Sequence, residues 1–513
     1  MQGKIWPILI GVAVVLACMV ALRPLLPIDE TRYLSVAWEM RLSGDPVHLT
    51  KNGEMYTHKT PLLFAMINLV WLVVGVSEFA ARLVGPACAV GMVAGTAALA
   101  RRFWPQHDLG PRAALILAGF PVFLIYGSAT MFDALLALAV LAGVAALWRI
   151  GQGKGGWVGF GLALAFGVYA KGPVIFVHLM PILLTLPLWA AEPPRPAQIA
   201  KGFAGALLVA LALVALWLVP TLLTATPEFR TELLWTQSAA RVAGGLAHDR
   251  PFWFLIALLP LLLFPWGWSI RLWQGFGGAW ADPAIRLCTI WAISTLLLFS
   301  LISGKQAHYL LPAYPALALL FGYASLKAKC GSQLWLPLLA IAAGAGALGL
   351  GFVPAVGELV LLAPYWPLTA LAAMSLALVL TTTLLPRIPG HLLAGVALTL
   401  GLHGVVALTG LYPAYDGRPL AAALATHAPD GLAVANAEYH AEINFLARLT
   451  APVAMPQTKA DWQAWAAAHP QGVIFGRVKE NPLTAAPQEV FSYMGQAWGL
   501  WPAPAGPALI SRE

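Results

Sequence analysis

Two clusters of polar residues bracket one loop near the start of the chain: Asp29-Glu30-Thr31-Arg32-Tyr33 and Tyr56-Thr57-His58-Lys59-Thr60-Pro61-Leu62. Adjacent carboxylates can orient or deprotonate a nucleophile. Cations beside them can hold an anionic group and stabilise charge that develops on it. A plainer reading is open for each residue: Asp29 could cap a helix holding Tyr33 to Met40, with Glu30 favouring its positive end. Similar sets recur further along at the ends of apolar runs: Asp133, Lys171, Arg241, His248, Lys305 and Tyr309. Asp133 reads equally as a helix cap, and the tyrosines as anchors at a membrane interface.

The elements that must position these residues are apolar. Of 513 residues, 60% are hydrophobic and only 10% charged, and mean hydropathy is +0.77. That composition excludes a water-soluble globular protein. The net charge of +8 comes from short Lys/Arg clusters between long apolar runs, a pattern of membrane topology and not of nucleic-acid binding. Cys18, Cys88, Cys288 and Cys330 lie in or beside apolar runs with no metal-type spacing, so they read as packing residues.

Helix-length apolar runs fall at about 5–26, 80–100, 112–130, 134–150, 155–170, 173–191, 202–223, 252–270, 287–303, 309–325, 334–355, 358–385 and 391–411, thirteen candidate spans. The first, without a small-residue cleavage site, reads as a retained helix with a cytoplasmic amino terminus. A further run, 61–76, decides the orientation of all that follows. If it lies along the membrane surface, the loops holding Arg101, Arg102, Arg112, Arg149, Lys154, Arg195, Lys201, Arg271, Arg286, Lys327, Lys329 and Arg387 share the side of Lys4. This is the cytoplasmic bias of Lys and Arg, so 61–76 is expected not to span. Segments 27–79, 131–133, 171–172, 224–251 and 304–308, and everything beyond about 412, then face outward. After Asp416 hydrophobicity drops: strand-like stretches near 431 and 472–476 and amphipathic stretches at 439–449 and 459–468 suggest a small α/β domain. The expected fold is an all-α polytopic bundle, 1–411, with an outward-facing α/β domain at 412–513.

In this order, Asp-Glu-Thr-Arg-Tyr, the turns at 43–45 and 52–53, and Tyr-x-x-Lys-x-Pro-Leu resemble the first periplasmic loop of glycosyltransferase family 39. That family includes bacterial aminoarabinose lipid A transferases and protein O-mannosyltransferases. The similarity continues at 75–83 (Gly-Val-Ser-Glu-Phe-Ala-Ala-Arg-Leu), 170–173 (Ala-Lys-Gly-Pro), 248–253 (His-Asp-Arg-Pro-Phe-Trp) and 304–312 (Gly-Lys-Gln-Ala-His-Tyr-Leu-Leu-Pro).

The resemblance implies a GT-C type inverting enzyme that moves a hexose or pentose from an undecaprenyl or other polyprenyl monophosphate carrier to an envelope acceptor such as lipid A. It implies an inner-membrane protein with a periplasmic site and no nucleic-acid partner. Asp29, with Glu30, takes the place of the reacting-centre acid and Asp133 that of a supporting acid. Arg32, Tyr33, Tyr56, Lys59, Lys171, Arg241, Lys305 and Tyr309 take the places of donor phosphate and lipid contacts. One residue departs from the pattern: His58 stands where the aminoarabinose transferases have Glu before the motif lysine. His58 and His248 could together hold a zinc ion, and no other cofactor is expected. Protein O-mannosylation is the alternative enzyme reading, and a lipid or sugar transporter or flippase the alternative of another class. The transporter reading fits poorly, since most charges sit at helix ends and no inverted repeat is apparent.

Overall fold

A computed structural model describes residues 4–233, 250–327, 334–435, 438–480 and 486–503. The chain is mostly helical. Its first part holds α1 (Trp6–Ala21), α2 (Asp29–Ser43), a hairpin of β1 (Thr50–Lys51) and β2 (Glu54–Met55), α3 (Leu62–Val74), α4 (Glu78–Arg82) and α5 (Val84–Phe103). Then come α6 (Gly110–Ala118), α7 (Pro121–Gly127), α8 (Phe132–Ile150), α9 (Trp157–Lys171), α10 (Val174–Leu184), α11 (Leu186–Trp189), α12 (Pro196–Thr224) and α13 (Pro227–Thr231). Beyond a series of short helical turns between 254 and 281 lie α14 (Pro283–Leu301), a 3-10 segment Ala307–Ala313 leading into α15 (Tyr314–Lys327), α16 (Trp335–Gly349), α17 (Trp366–Leu384) and α18 (Arg387–Leu408).

Seven helical stretches are long and apolar enough to cross a membrane, or eight when the bent pair α6–α7 counts as one. Other expected spans fall on shorter apolar helices, α1, α9, α10 and α16, and the one at 252–270 falls on short turns. The 75° bend between α6 and α7 has a local cause. Pro121 cannot donate to the preceding turn, and at the bend Gly395 lets α18 approach so closely that a Cβ there would sit 1.9 Å from the Gly119 carbonyl oxygen.

The 61–76 run forms α3, whose 13 residues reach only about 20 Å, short of the roughly 30 Å hydrocarbon layer. It packs against α2, and Asn68 Nδ2 donates to the Ala37 carbonyl at 2.9 Å. Arg82, at the start of the span formed by α4 and α5, donates to the Pro24 carbonyl just beyond α1 at 3.2 Å. The chain therefore leaves α1 and enters α5 at the same end of the bundle, and α3 does not cross.

At the carboxy-terminal end, α19 (Arg418–His427) and α20 (Lys459–Ala468) pack with β3 (Leu432–Val434), β4 (Val473–Arg477), β5 (Glu489–Tyr493) and β6 (Gln496–Pro502). The sheet order is β3-β4-β6-β5, with β3 parallel to β4 and the other pairs antiparallel. Thr458 and Asp461 form a capping box that starts α20 where the amphipathic pattern predicts it. The stretch at 439–449 runs instead as turns, because Ala441 and Arg448 take φ of 61° and 54°, outside helical geometry. Cys88 and Cys288 are buried free thiols, Cys18 is exposed, and Cys330 lies outside the described residues.

Candidate functional site

The first two residues of α2 are both acids, yet they have separate surroundings. Neither caps the helix: Ile28 occupies the cap position, with no side-chain hydrogen bond there. The Glu30 side chain turns inward and is buried. Arg23 grips both of its oxygens, one contact being 2.7 Å, and the Thr130 amide donates to it at 2.7 Å. Burial pushes the Glu30 carboxyl up, but Arg23, Arg82 and the Thr130 amide outweigh it and hold the pKa at about 2. Glu30 is thus a buried pin between α1, α2 and the α7–α8 junction, which sets it apart from the reacting acid that its position in the motif suggests.

The Asp29 carboxylate is half-exposed, pairs with Arg32, and accepts the Tyr33 hydroxyl at 3.0 Å. Spacings of i+3 and i+4 on one helix bring these three together. Tyr33 is itself buried edge-on against Phe132 and Phe64, with ring centres 4.9 and 6.3 Å away. The Lys59 ammonium sits 5.9 Å from the Tyr33 ring centre and 5.7 Å from that of Phe132. An aromatic floor thus carries a cation next to the acid. Tyr56 is buried beside it, its ring 5.5 Å from that of His58.

A second group adjoins through Phe132. Asp133 follows it in the first turn of α8, buried, and accepts the Lys171 ammonium from the end of α9 at 2.6 Å. No cap bond engages it. His308 Nε2 lies 3.9 Å from the other Asp133 oxygen, and Lys171 lies 4.4 Å from the Tyr309 ring centre. Lys305 is buried and donates to the Arg250 carbonyl at 2.7 Å, tying the 3-10 segment to the chain that precedes the 254–281 turns.

The residues just after α13 complete this end. Glu232 accepts the Thr57 hydroxyl at 2.8 Å and lies 3.6 Å from His58 Nε2. Burial, with Arg32, Lys51 and Lys59 nearby, pushes the His58 imidazole below its ordinary pKa against the pull of Glu232. Arg241 and His248 lie outside the described residues. Among the described residues no three His, Cys, Asp or Glu side chains are grouped to hold a metal, so the expected His58 and His248 pair falls partly outside what can be seen.

The structure therefore gathers Asp29, Arg32, Tyr33, Tyr56, Lys59, Asp133, Lys171 and Tyr309 into two adjoining clusters at one end of the bundle. It adds three residues that sequence reading passed over. His308 stood inside a recognised motif and carried a usable signal. Arg23 read as the flank of a span, and Glu232 lies in a stretch with no distinctive pattern. Chemically, the site offers one accessible carboxylate, two cations held over aromatic rings and a second, buried acid, an arrangement fit to hold an anionic leaving group beside a reacting centre.

Residues 58–263 match the family described as dolichyl-phosphate-mannose-protein mannosyltransferase. The chain is 29% identical over 306 residues to an undecaprenyl phosphate-alpha-4-amino-4-deoxy-L-arabinose arabinosyl transferase of Pseudomonas fluorescens, covering 58% of this chain and 55% of that protein. It is 30% identical over 308 residues to the transferase of the same name from Pseudomonas paraeruginosa, with the same coverage. These matches span about half the length of the curated relatives. The fold is that of ArnT from Cupriavidus metallidurans, solved bound to undecaprenyl phosphate: TM-score 0.73, 20% identity, 96% of this chain and 97% of the other. The apo crystal structure of that protein gives 0.71. The likeness read from the motifs is borne out in sequence and in fold, and the chain is a multi-pass membrane protein similar to glycosyltransferases.

Proposed function

We propose that this protein transfers a sugar from an undecaprenyl monophosphate carrier to lipid A or a similar envelope glycolipid, with inversion at the anomeric carbon, at the periplasmic face of the bacterial inner membrane. The observation that carries this is the placement of Lys59 and Lys171 beside Asp29 and Asp133, on residues that match the family's motifs. Transfer from a lipid monophosphate expels a phosphate dianion or monoanion, and two cations over aromatic rings suit that charge better than water does. The accessible Asp29 carboxylate orients the acceptor or takes its proton; the Asp133–Lys171 pair fixes the second cation. An apolar cavity of about 480 Å³, lined by Leu262, Phe276, Trp280, Leu296, Leu310 and Tyr314, lies between α14, α15 and the 254–281 turns and suits isoprene units of the carrier.

The sugar is a hexose or pentose, and the domains are a catalytic bundle over 1–411 and a periplasmic α/β domain over 412–513. Mass spectrometry of envelope lipids from cells with and without the gene tests the reading. A glycolipid heavier by one sugar only when the gene is present is expected. Unchanged lipids together with newly glycosylated secreted proteins would favour the protein O-mannosyltransferase reading instead.

A further inference from the structure

Asn52 and Gly53 join β1 to β2 with φ of 54° and 78°, the left-handed pair that a tight two-residue hairpin turn requires. Such a turn ordinarily points into water, yet Asn52 is only 4% exposed. Its side-chain amide pairs with the Val453 backbone: Nδ2 donates to the Val453 carbonyl and Oδ1 accepts the Val453 amide, each at 2.8 Å. Asn444 Nδ2 donates to the same Oδ1 at 3.1 Å, and the Tyr439 hydroxyl donates to Asn444 Oδ1 at 2.5 Å. A Cβ on Gly53 would stand 2.7 Å from the Pro452 ring, so the hairpin tip is seated hard against segment 439–453.

The same segment grips the elements on either side of the hairpin. On α2, Ser35 Oγ donates to the Ala441 carbonyl at 2.6 Å and accepts the Phe445 amide at 3.0 Å, and Trp38 Nε1 donates to the Leu449 carbonyl at 2.8 Å. The Phe445 ring is buried flat against that of Trp71 on α3, with ring centres 5.4 Å apart. Glu39 closes the set by accepting the Asn52 and Gly53 amides at 2.6 and 3.0 Å. Asp29 and Lys59, the groups placed beside the reaction, stand at the start of α2 and just before α3. They come from opposite ends of one loop, so their spacing depends on how the elements between them are held. The Tyr56 amide donates to the Leu49 carbonyl at 2.8 Å and carries the hairpin register to within three residues of Lys59.

We infer that the Asn52–Asn444 link is a positioning device for transfer, through which the carboxy-terminal part sets the distance of Lys59 from Asp29. This rests on the transferase reading above and deepens it. A reacting group misplaced by about 1 Å costs on the order of 100-fold in rate, so grips made far along the chain from the reacting groups bear on their chemistry.

The test compares the purified full chain with Asn52→Gly, Asn444→Ala and the double variant in nanodiscs, well below their melting temperatures. The acceptor is lipid A, and the donor is whichever of undecaprenyl-phosphate aminoarabinose and polyprenyl-phosphate mannose the wild type uses. Glycine suits both left-handed turn positions, so Asn52→Gly keeps the hairpin and removes the link. Turnover per folded molecule should fall about 10- to 100-fold in Asn52→Gly. It should fall about three- to tenfold in Asn444→Ala, the worth of one buried hydrogen bond. The double variant should fall no further than Asn52→Gly alone, because both changes break one link. Affinity for undecaprenyl monophosphate should change by about threefold at most, since a lysine still reaches the phosphate when its distance from Asp29 is no longer fixed. Asn444→Ala leaves the turn residues in place and carries the comparison if Asn52→Gly does not fold. Unchanged turnover per folded molecule, even with lowered melting temperatures, would reduce the link to adhesion and overturn the inference. Losses that multiply in the double variant, or a fall in affinity as large as the fall in turnover, would overturn it too. A wild type that transfers sugar from neither donor would overturn the transferase reading, and the positioning role with it.

Discussion

Asp29 and Glu30 are neighbours in sequence, and their environments assign them different work. Asp29→Asn keeps size and loses only a half-exposed pairing with Arg32, so the melting temperature should stay close to wild type. Transfer measured with purified protein and its lipid donor should fall by ~10²- to 10⁴-fold, the usual contribution of a positioned acid-base group. Near-wild-type turnover would remove Asp29 from the chemistry. Glu30→Gln should behave in the reverse way. It strands the buried Arg23 guanidinium and costs about 3–5 kcal/mol of stability, visible as a much lower melting temperature. Replacing Arg23 and Glu30 together by Met should recover much of that loss, because the uncompensated charge then disappears. The sign of the pH effect follows from a folded pKa of about 2: the stabilisation is present above the ordinary glutamate range and is lost as pH falls towards 2. Residue types alone name both carboxylates, and only the resemblance puts Asp29 first. Their separation depends on Arg23 and on the Thr130 amide a hundred residues away, which only the fold brings together.

At the scale of elements, what was legible followed periodicity and turn chemistry. The strands near 431 and 472–476, the capped helix at 459–468 and most of the apolar helices stand where pattern placed them, since each is decided within its own stretch; the run at 252–270 forms short turns, and those at 112–130 and 173–191 are broken at prolines. The turns of 439–449 were illegible because tertiary bonds to Ser35, Trp38 and Asn52 override a helical pattern. That docking leaves a titratable mark. The Glu442 carboxyl is buried between the sheet and α2, and burial raises its pKa against its amide partners, Arg32 and Lys51. Its folded pKa therefore exceeds the unfolded one, the folded state holds the extra proton between them, and stability declines as pH rises through the folded value. Glu442→Gln, which keeps the acceptor for the His440 amide, should raise the melting temperature at about pH 8 and change it little at about pH 4. A wild-type melting temperature with the same pH dependence as the variant's would show that this carboxylate is not part of a tight joint.

For the whole molecule, orientation is decided jointly by charge and by contact. Lys and Arg cluster at Arg101, Arg102, Arg149, Lys154, Arg195, Lys201 and Lys327, at the ends of α5, α8, α12 and α15 remote from the clusters at Asp29 and Asp133. The positive-inside bias predicts that those ends face the cytoplasm. The bond from Arg82 to Pro24 then matters, since it ties the exit of α1 to the entrance of α5 and leaves no crossing for α3 to make. Likewise the ring contact of Tyr33 with Phe132 and the pairing of Asp133 with Lys171 oblige the first loop, the start of α8 and the end of α9 to share one side. A single reporter on each side therefore fixes every site residue at once. An alkaline-phosphatase fusion after residue 415 should be active and one after Arg102 inactive. An active fusion at Arg102 would turn the whole assembly over, placing Asp29, Lys59 and Lys171 in the cytoplasm, where an envelope acceptor could not reach them.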